Sequence, residues 1–164
     1  MENCPPAVCE ASDLVLSFVN AESLDGWLDG ATPSDVAAAT ELRASLAVLL
    51  RAHSGCALDA GAVGAAEAHL RQVATRYPLI PVVGADACAL VPAHDGAFGL
   101  FARVLGAVTD LAYRGAWARA KVCKNDTCHT GFFDKTRNTS GLYCSPACSS
   151  QASMRAYRNR RKAA

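Results

Sequence analysis

Cys123, Cys128, Cys144 and Cys148 form two pairs, the first with four residues between its members and the second with three, separated by a fifteen-residue insert. Two close pairs joined by an insert long enough for a hairpin can bring four thiolates to one tetrahedral ion, the arrangement of structural zinc sites. The segment 121–164 is too short to hold itself together by apolar burial, so metal binding and folding of this segment are expected to be one event. Four thiolates leave no open position for water, which argues against a catalytic zinc. The spacing also differs from the common ferredoxin runs. His129, beside Cys128, is an alternative ligand.

The charge is divided at the same place. Residues 1–120 carry seven Arg and thirteen acids, a formal −6, whereas residues 121–164 carry nine Lys or Arg and two acids, a formal +7, within an overall charge of +1. A basic tail on an acidic body points to a polyanion as the partner of the tail alone. Ser145-Pro146 reads as the cap and first position of a final helix, placing Cys148 in its first turn, where backbone N–H groups favour a thiolate. On that helix Arg155, Arg158, Asn159 and Lys162 share one stripe. Met154, Tyr157 and Arg161 share another, expected to lie against Phe132, Phe133 and Tyr143. Arg155, Arg158 and Lys162, with Arg137 from the insert, are the candidate nucleic-acid contacts. Phe132-Phe133-Asp134 and Gly141-Leu142-Tyr143 are expected as two short strands.

The first 118 residues read as a mainly helical body. Leu14, Val15, Phe18 and Val19 lie on one helix face, with Leu24, Trp27 and Leu28 beyond them. Thr32 caps a helix that has Pro33 at its first position, carries Val36, Ala39, Leu42, Leu46, Leu49 and Leu50 on one stripe, and ends near His53-Ser54-Gly55. A further helix is expected over Asp59–Arg76, stopped by Tyr77-Pro78, and another over Asp95–Trp117. Between them, Leu79–Val83 and Ala87–Val91 flank Gly84-Ala85-Asp86 as a hairpin in which Pro81 belongs to an edge. The fold class is therefore mainly α, a helical body with a small β-hairpin followed by a Cys4 zinc finger of two short strands and a basic helix.

No run of eighteen apolar residues occurs, and the N-terminal residues lack a basic start and apolar core, so a cytoplasmic location without membrane insertion is expected. There thiols stay reduced, and eight cysteines read as metal ligands plus buried thiols. Cys4 and Cys9 lack a second pair and are expected in an unstructured terminus, and Cys56 and Cys88 are isolated. His53, His69 and His94 lie in different elements without a catalytic partner, and no phosphate loop, nucleophile elbow or paired carboxylates occur, which argues against an enzyme. Asn20, at the end of an apolar helix, either caps the next turn or points into a ligand pocket.

Val122-Cys-Lys-Asn-Asp-Thr-Cys128, Phe133-Asp-Lys-Thr-Arg-Asn138 and Tyr143-Cys-Ser-Pro-Ala-Cys148 together resemble the CGNR zinc finger of bacterial proteins that also carry an N-terminal ABATE domain. Leu14-Val-Leu-Ser-Phe-Val-Asn20 is similar to the opening motif of that domain. The tetrapeptide that names the finger stands here as Cys148-Ser149-Ser150-Gln151, and a basic pair before the third cysteine stands as Gly141-Leu142. The resemblance implies a stress-induced transcription regulator, with residues 1–118 as a sensor for a small-molecule effector and 121–164 as a Zn2+-dependent DNA-binding finger. Two alternatives stay open: a small-molecule-binding or catalytic protein whose finger is only structural, and a zinc-stabilised protein-interaction module.

Overall fold

The computed structural model describes residues 5–28 and 30–163. Among these residues are five helices, α1 (Pro6–Asn20), α2 (Pro33–His53), α3 (Ala62–Arg76), α4 (Gly96–Tyr113) and α5 (Pro146–Ala163), with one antiparallel ribbon between α3 and α4 and another between α4 and α5. These are β1 (Leu79–Val83) with β2 (Cys88–Pro92), and β3 (Ala120–Val122) with β4 (Gly131–Phe133).

Helix boundaries follow local chemistry. α2 opens with a full capping box: the Asp35 amide donates to the Thr32 hydroxyl, and the Asp35 carboxylate accepts from the Thr32 N–H at 2.9 Å, satisfying two N-terminal donors reciprocally. α1 ends at Asn20 and is followed by a 3-10 turn over Asp25–Trp27. α3 begins at Ala62, three residues later than Asp59, because Gly61 takes a left-handed conformation at φ 84°. α4 likewise stops at Tyr113, before Gly115 at φ 66°, which leaves Trp117 in a separate 3-10 turn, Trp117–Arg119. Cys9 lies in α1 and is disulfide-bonded, contrary to an unstructured terminus, while Cys4 lies outside the described residues. None of the described helices is long and apolar enough to cross a membrane.

α1 packs on α4 and α2 on α3. Phe18, Leu42, Leu46, Phe101 and Val104 are fully enclosed between them. The Trp27 ring meets Phe18 edge to face at 5.9 Å, and Tyr77 stacks on Phe98 at 4.7 Å, so aromatic contacts close the ends of this core.

The second ribbon is fastened to the helices by two side chains that imitate strands. Cys123 donates its N–H to Thr130 O at 2.9 Å, which places the neighbouring pair, Val122 opposite Gly131, at a position whose backbone groups point outward. Ser54, at the C-cap of α2, lies with its hydroxyl 2.8 Å from Val122 O and accepts the Val122 N–H at 2.9 Å. Asn20, at the end of α1, donates to Gly131 O at 2.9 Å and accepts the Gly131 N–H at 2.7 Å. A β-carbon on Gly131 would stand 3.1 Å from the Asn20 amide oxygen and 3.2 Å from Leu16, so glycine permits this close approach. His53 adds a bond to Ala120 O at 2.9 Å, with its ring edge-on to Trp117.

Candidate metal centre and basic helix

The strand partner of β4 is β3, and Gly141–Tyr143 is not a strand, in contrast to the expected pairing of Phe132–Asp134 with Gly141–Tyr143. The reason lies in Asp134 and Lys121. Lys121 leaves β3 pointing into the finger, where its ammonium donates to Asp134 Oδ2 at 2.7 Å, Thr139 O at 2.6 Å and Gly141 O at 3.2 Å. Asp134 also accepts the Thr136 N–H and hydroxyl on Oδ1 and the Gly141 N–H on Oδ2. Both side chains are buried, and every donor of the ammonium has a partner, as a buried ion pair requires. Burial alone would raise the Asp134 pKa, but the bonds from Lys121, Thr136 and Gly141 outweigh it and hold the carboxyl at about 2. The insert is thus folded around a buried salt bridge, and its backbone is committed to that bridge instead of to a second ladder. A β-carbon on Gly141 would stand 2.7 Å from Asp134 Oδ1, so this position cannot carry a side chain.

The four cysteines converge beside this knot. Their sulfurs all lie within 4.8 Å of one another, with Cys128 to Cys144 at 3.6 Å and Cys144 to Cys148 at 3.7 Å. A tetrahedron with zinc–sulfur arms of about 2.3 Å has edges of about 3.8 Å, which the Cys128–Cys144 and Cys144–Cys148 separations match, so the four sulfurs are gathered around the space one zinc ion needs. His129 is not part of the cluster; it occupies a left-handed conformation at φ 54°, which turns the chain between Cys128 and Thr130.

Backbone and neighbouring groups tune the sulfurs. Cys144 N–H donates to Cys123 Sγ at 3.4 Å. Thr130, with its hydroxyl 3.2 Å from Cys128 Sγ, brings that thiol down to about 6. Asn125 and then Ser145 lower Cys148, whereas burial and the adjoining sulfurs push Cys144 up to about 12. Four thiolates this close repel one another, and a divalent cation offsets that repulsion. The structural zinc would be held by all four.

Ser145 caps α5 as expected, accepting the Cys148 N–H at 3.2 Å. Two further bonds tie α5 to the first cysteine pair: the buried Asn125 donates its amide to Gln151 at 2.9 Å, and Arg155 meets Asp126 at 2.8 Å. Beyond these α5 projects. Met154 and Tyr157, expected to pack on Phe132, Phe133 and Tyr143, remain 54% and 50% exposed, because the helix leaves the zinc knuckle instead of folding back over it. Arg158, Asn159, Arg160, Arg161 and Lys162 are exposed, and no acidic residue lies in the helix.

Of the residues singled out in the sequence, the four cysteines come together, and Arg155, Arg158 and Lys162 lie on α5. Arg137 is exposed on the insert, with its carbonyl held by Arg119. Asn20, considered for a ligand pocket, has its amide engaged at both ends by Gly131. Lys121, Asp134, Asn125, Ser54 and Arg119 were missed. For Asp134 a signal exists: an Asp two residues before a Thr readily bonds the following backbone in an Asx turn.

Residues 119–161 match the family model of the CGNR zinc finger. No curated protein matches the chain.

Proposed function

Given that residues 119–161 form a CGNR zinc finger, we propose that this chain is a zinc-dependent DNA-binding transcriptional regulator whose helical body, residues 1–118, senses a small-molecule effector. The observation that carries the reading is α5: five cations, no acid, an exposed surface on all its distal turns, and a root fixed by Cys148, Gln151 and Arg155 to the metal knuckle. A cationic helix held at one end and free at the other suits insertion into a groove between phosphate rows. Arg137, Arg158 and Lys162 would contact phosphates or bases. Arg155 is ion-paired with Asp126, but the pair is solvent-exposed and worth at most about 1 kcal/mol, so a phosphate can replace the carboxylate.

For the sensing role, a cleft of 380 Å³ lies where the body meets the finger. Val8, Ala116 and Phe133 give it apolar wall, and Arg119, Lys135 and Arg137 give it positive charge, which suits a small organic anion. Arg119 donates to the carbonyls of Asp134 and Thr136, so an occupant of the cleft would touch the insert that carries Arg137.

The test is the salt dependence of duplex DNA binding. Four phosphate contacts give a slope of log K against log salt of about −3.6, and three, with Arg155 kept by Asp126, about −2.7. A slope near zero, or no binding at low salt, would contradict the reading. A second reading, a zinc-stabilised protein-interaction module, is favoured by the exposed Met154 and Tyr157 on α5. It predicts an affinity for a protein partner that falls on Met154→Ala and Tyr157→Ala and no measurable DNA binding.

A further inference from the structure

Strands β1 and β2 contain no charged residue, Asp86 lying in the turn between them, and most of the ribbon faces solvent: Ile80 is 49% exposed, Val82 50%, Val83 75%, Leu90 56% and Val91 38%. Neither strand has a second neighbour among the described residues. An apolar two-stranded ribbon with open edges is an invitation to further strand pairing unless something closes it.

The ladder phase shows which edge is open. Gly84 N–H donates to Ala87 O at 2.8 Å and Ala93 N–H to Pro78 O at 3.0 Å, and the register pairs Ile80 with Val91 and Val82 with Ala89. Hydrogen-bonded pairs alternate with non-bonded ones, so Ile80, Val82, Ala89 and Val91 are bonded within the ribbon. Pro81, Leu90 and Cys88 direct their backbone groups outward. On β1 the central outward position is Pro81, which has no N–H, so that edge is blocked. On β2 the outward positions Cys88 and Leu90 each present an N–H and a C=O, and the edge is open.

We propose that β2 pairs with β2 of a second copy of this chain, antiparallel across a two-fold axis through Leu90, giving a four-stranded sheet and a homodimer. The strand is self-complementary in that register. Leu90 lies opposite its counterpart, the two exchanging both backbone bonds, and each Cys88 N–H meets a Pro92 carbonyl, an acceptor that needs no donor in return. Leu90, Ala89 and Val91 gain cross-strand apolar partners, and the blocked β1 strands become the outer edges of the sheet, which prevents growth beyond two copies. A five-residue edge is smaller than the interfaces of stable dimers, which bury about 800 Å² per partner, so the association is weak and concentration-dependent. The inference is independent of the DNA reading, because no residue of α5 takes part.

Sedimentation equilibrium of the zinc-loaded full chain, from about 5 to 500 μM, tests it. The mass should rise with concentration from 17.1 kDa toward twice that value. Leu90→Pro, which removes the central outward N–H, and Leu90→Lys, which leaves the backbone intact, should each weaken association at least tenfold. Val83→Lys at the hairpin tip should not. A mass of 17.1 kDa at every concentration would overturn the proposal, as would a dimer that survives both Leu90 variants or one that Val83→Lys dissociates equally.

Discussion

Asn20 and Gly131, 111 residues apart, exchange two hydrogen bonds of 2.9 and 2.7 Å, so that the end of α1 behaves as an extra strand on the edge of the finger's ribbon. On the opposite edge Ser54 does the same to Val122, the residue that faces Gly131 in the ladder. The ribbon that carries the first cysteine is therefore held from both sides by the helical body.

Asn20→Ala removes both bonds and leaves the backbone groups of Gly131 facing the void. The expected cost is about 1–3 kcal/mol, read as a lower midpoint in urea denaturation. Asn20→Asp keeps the acceptor but sets a carboxylate against the Gly131 carbonyl, and should be no better than Ala.

Lys121→Met leaves the Asp134 carboxylate buried without its counterion, at a cost of about 3–5 kcal/mol, whereas Lys121→Met with Asp134→Leu should recover part of the loss. The pH dependence follows from the depressed carboxyl. A folded-state pKa of about 2 lies below the ordinary value near 3.9, so the stabilisation is complete above about pH 4 and is lost as pH falls toward 2. Without Lys121, burial is free to raise the Asp134 carboxyl, so the cost of Lys121→Met, read from denaturant midpoints, should be largest near neutral pH and shrink as acid protonates the unpaired carboxylate.

Thr139, whose carbonyl accepts from Lys121, is a β-branched residue at φ 53°, a backbone region that costs such residues about 1–2 kcal/mol. Thr139→Asn should raise the melting temperature of the zinc-loaded protein by a few degrees, since Asn adopts this conformation readily.

The sequence made the helices and the metal legible for one reason: both depend on local spacing. The capping box at Thr32, the cap at Ser145 and the cysteine intervals all stand within a few residues of the groups they bond. What it concealed depends on distant partners. Lys121 looks like one more charge in a basic tail, and only its approach to Asp134 and Thr139 turns it into the buried centre of the finger. Asn20 was visible as unusual, but its partner lies across the whole chain. The exposure of Met154 and Tyr157 was missed because a helical stripe shows which residues share a face and not whether anything covers it.

Cobalt(II) should load with one equivalent per chain and give the spectrum of a tetrahedral four-thiolate site, and Cys148→Ser should remove it. Because thiols must lose protons to bind, and burial pushes Cys144 up to about 12, loading should weaken steadily as pH falls below neutrality.

The most direct test of a zinc-rooted DNA-binding helix compares duplex DNA affinity, at low salt, for zinc-loaded protein, chelator-stripped protein and a zinc-loaded Arg158→Ala/Lys162→Ala double variant, with circular dichroism recorded on each. Zinc removal should abolish binding while most helical signal persists, and the double variant should bind at least tenfold more weakly with a shallower salt slope. Equal affinity with and without zinc, or no binding by the zinc-loaded protein, would contradict it.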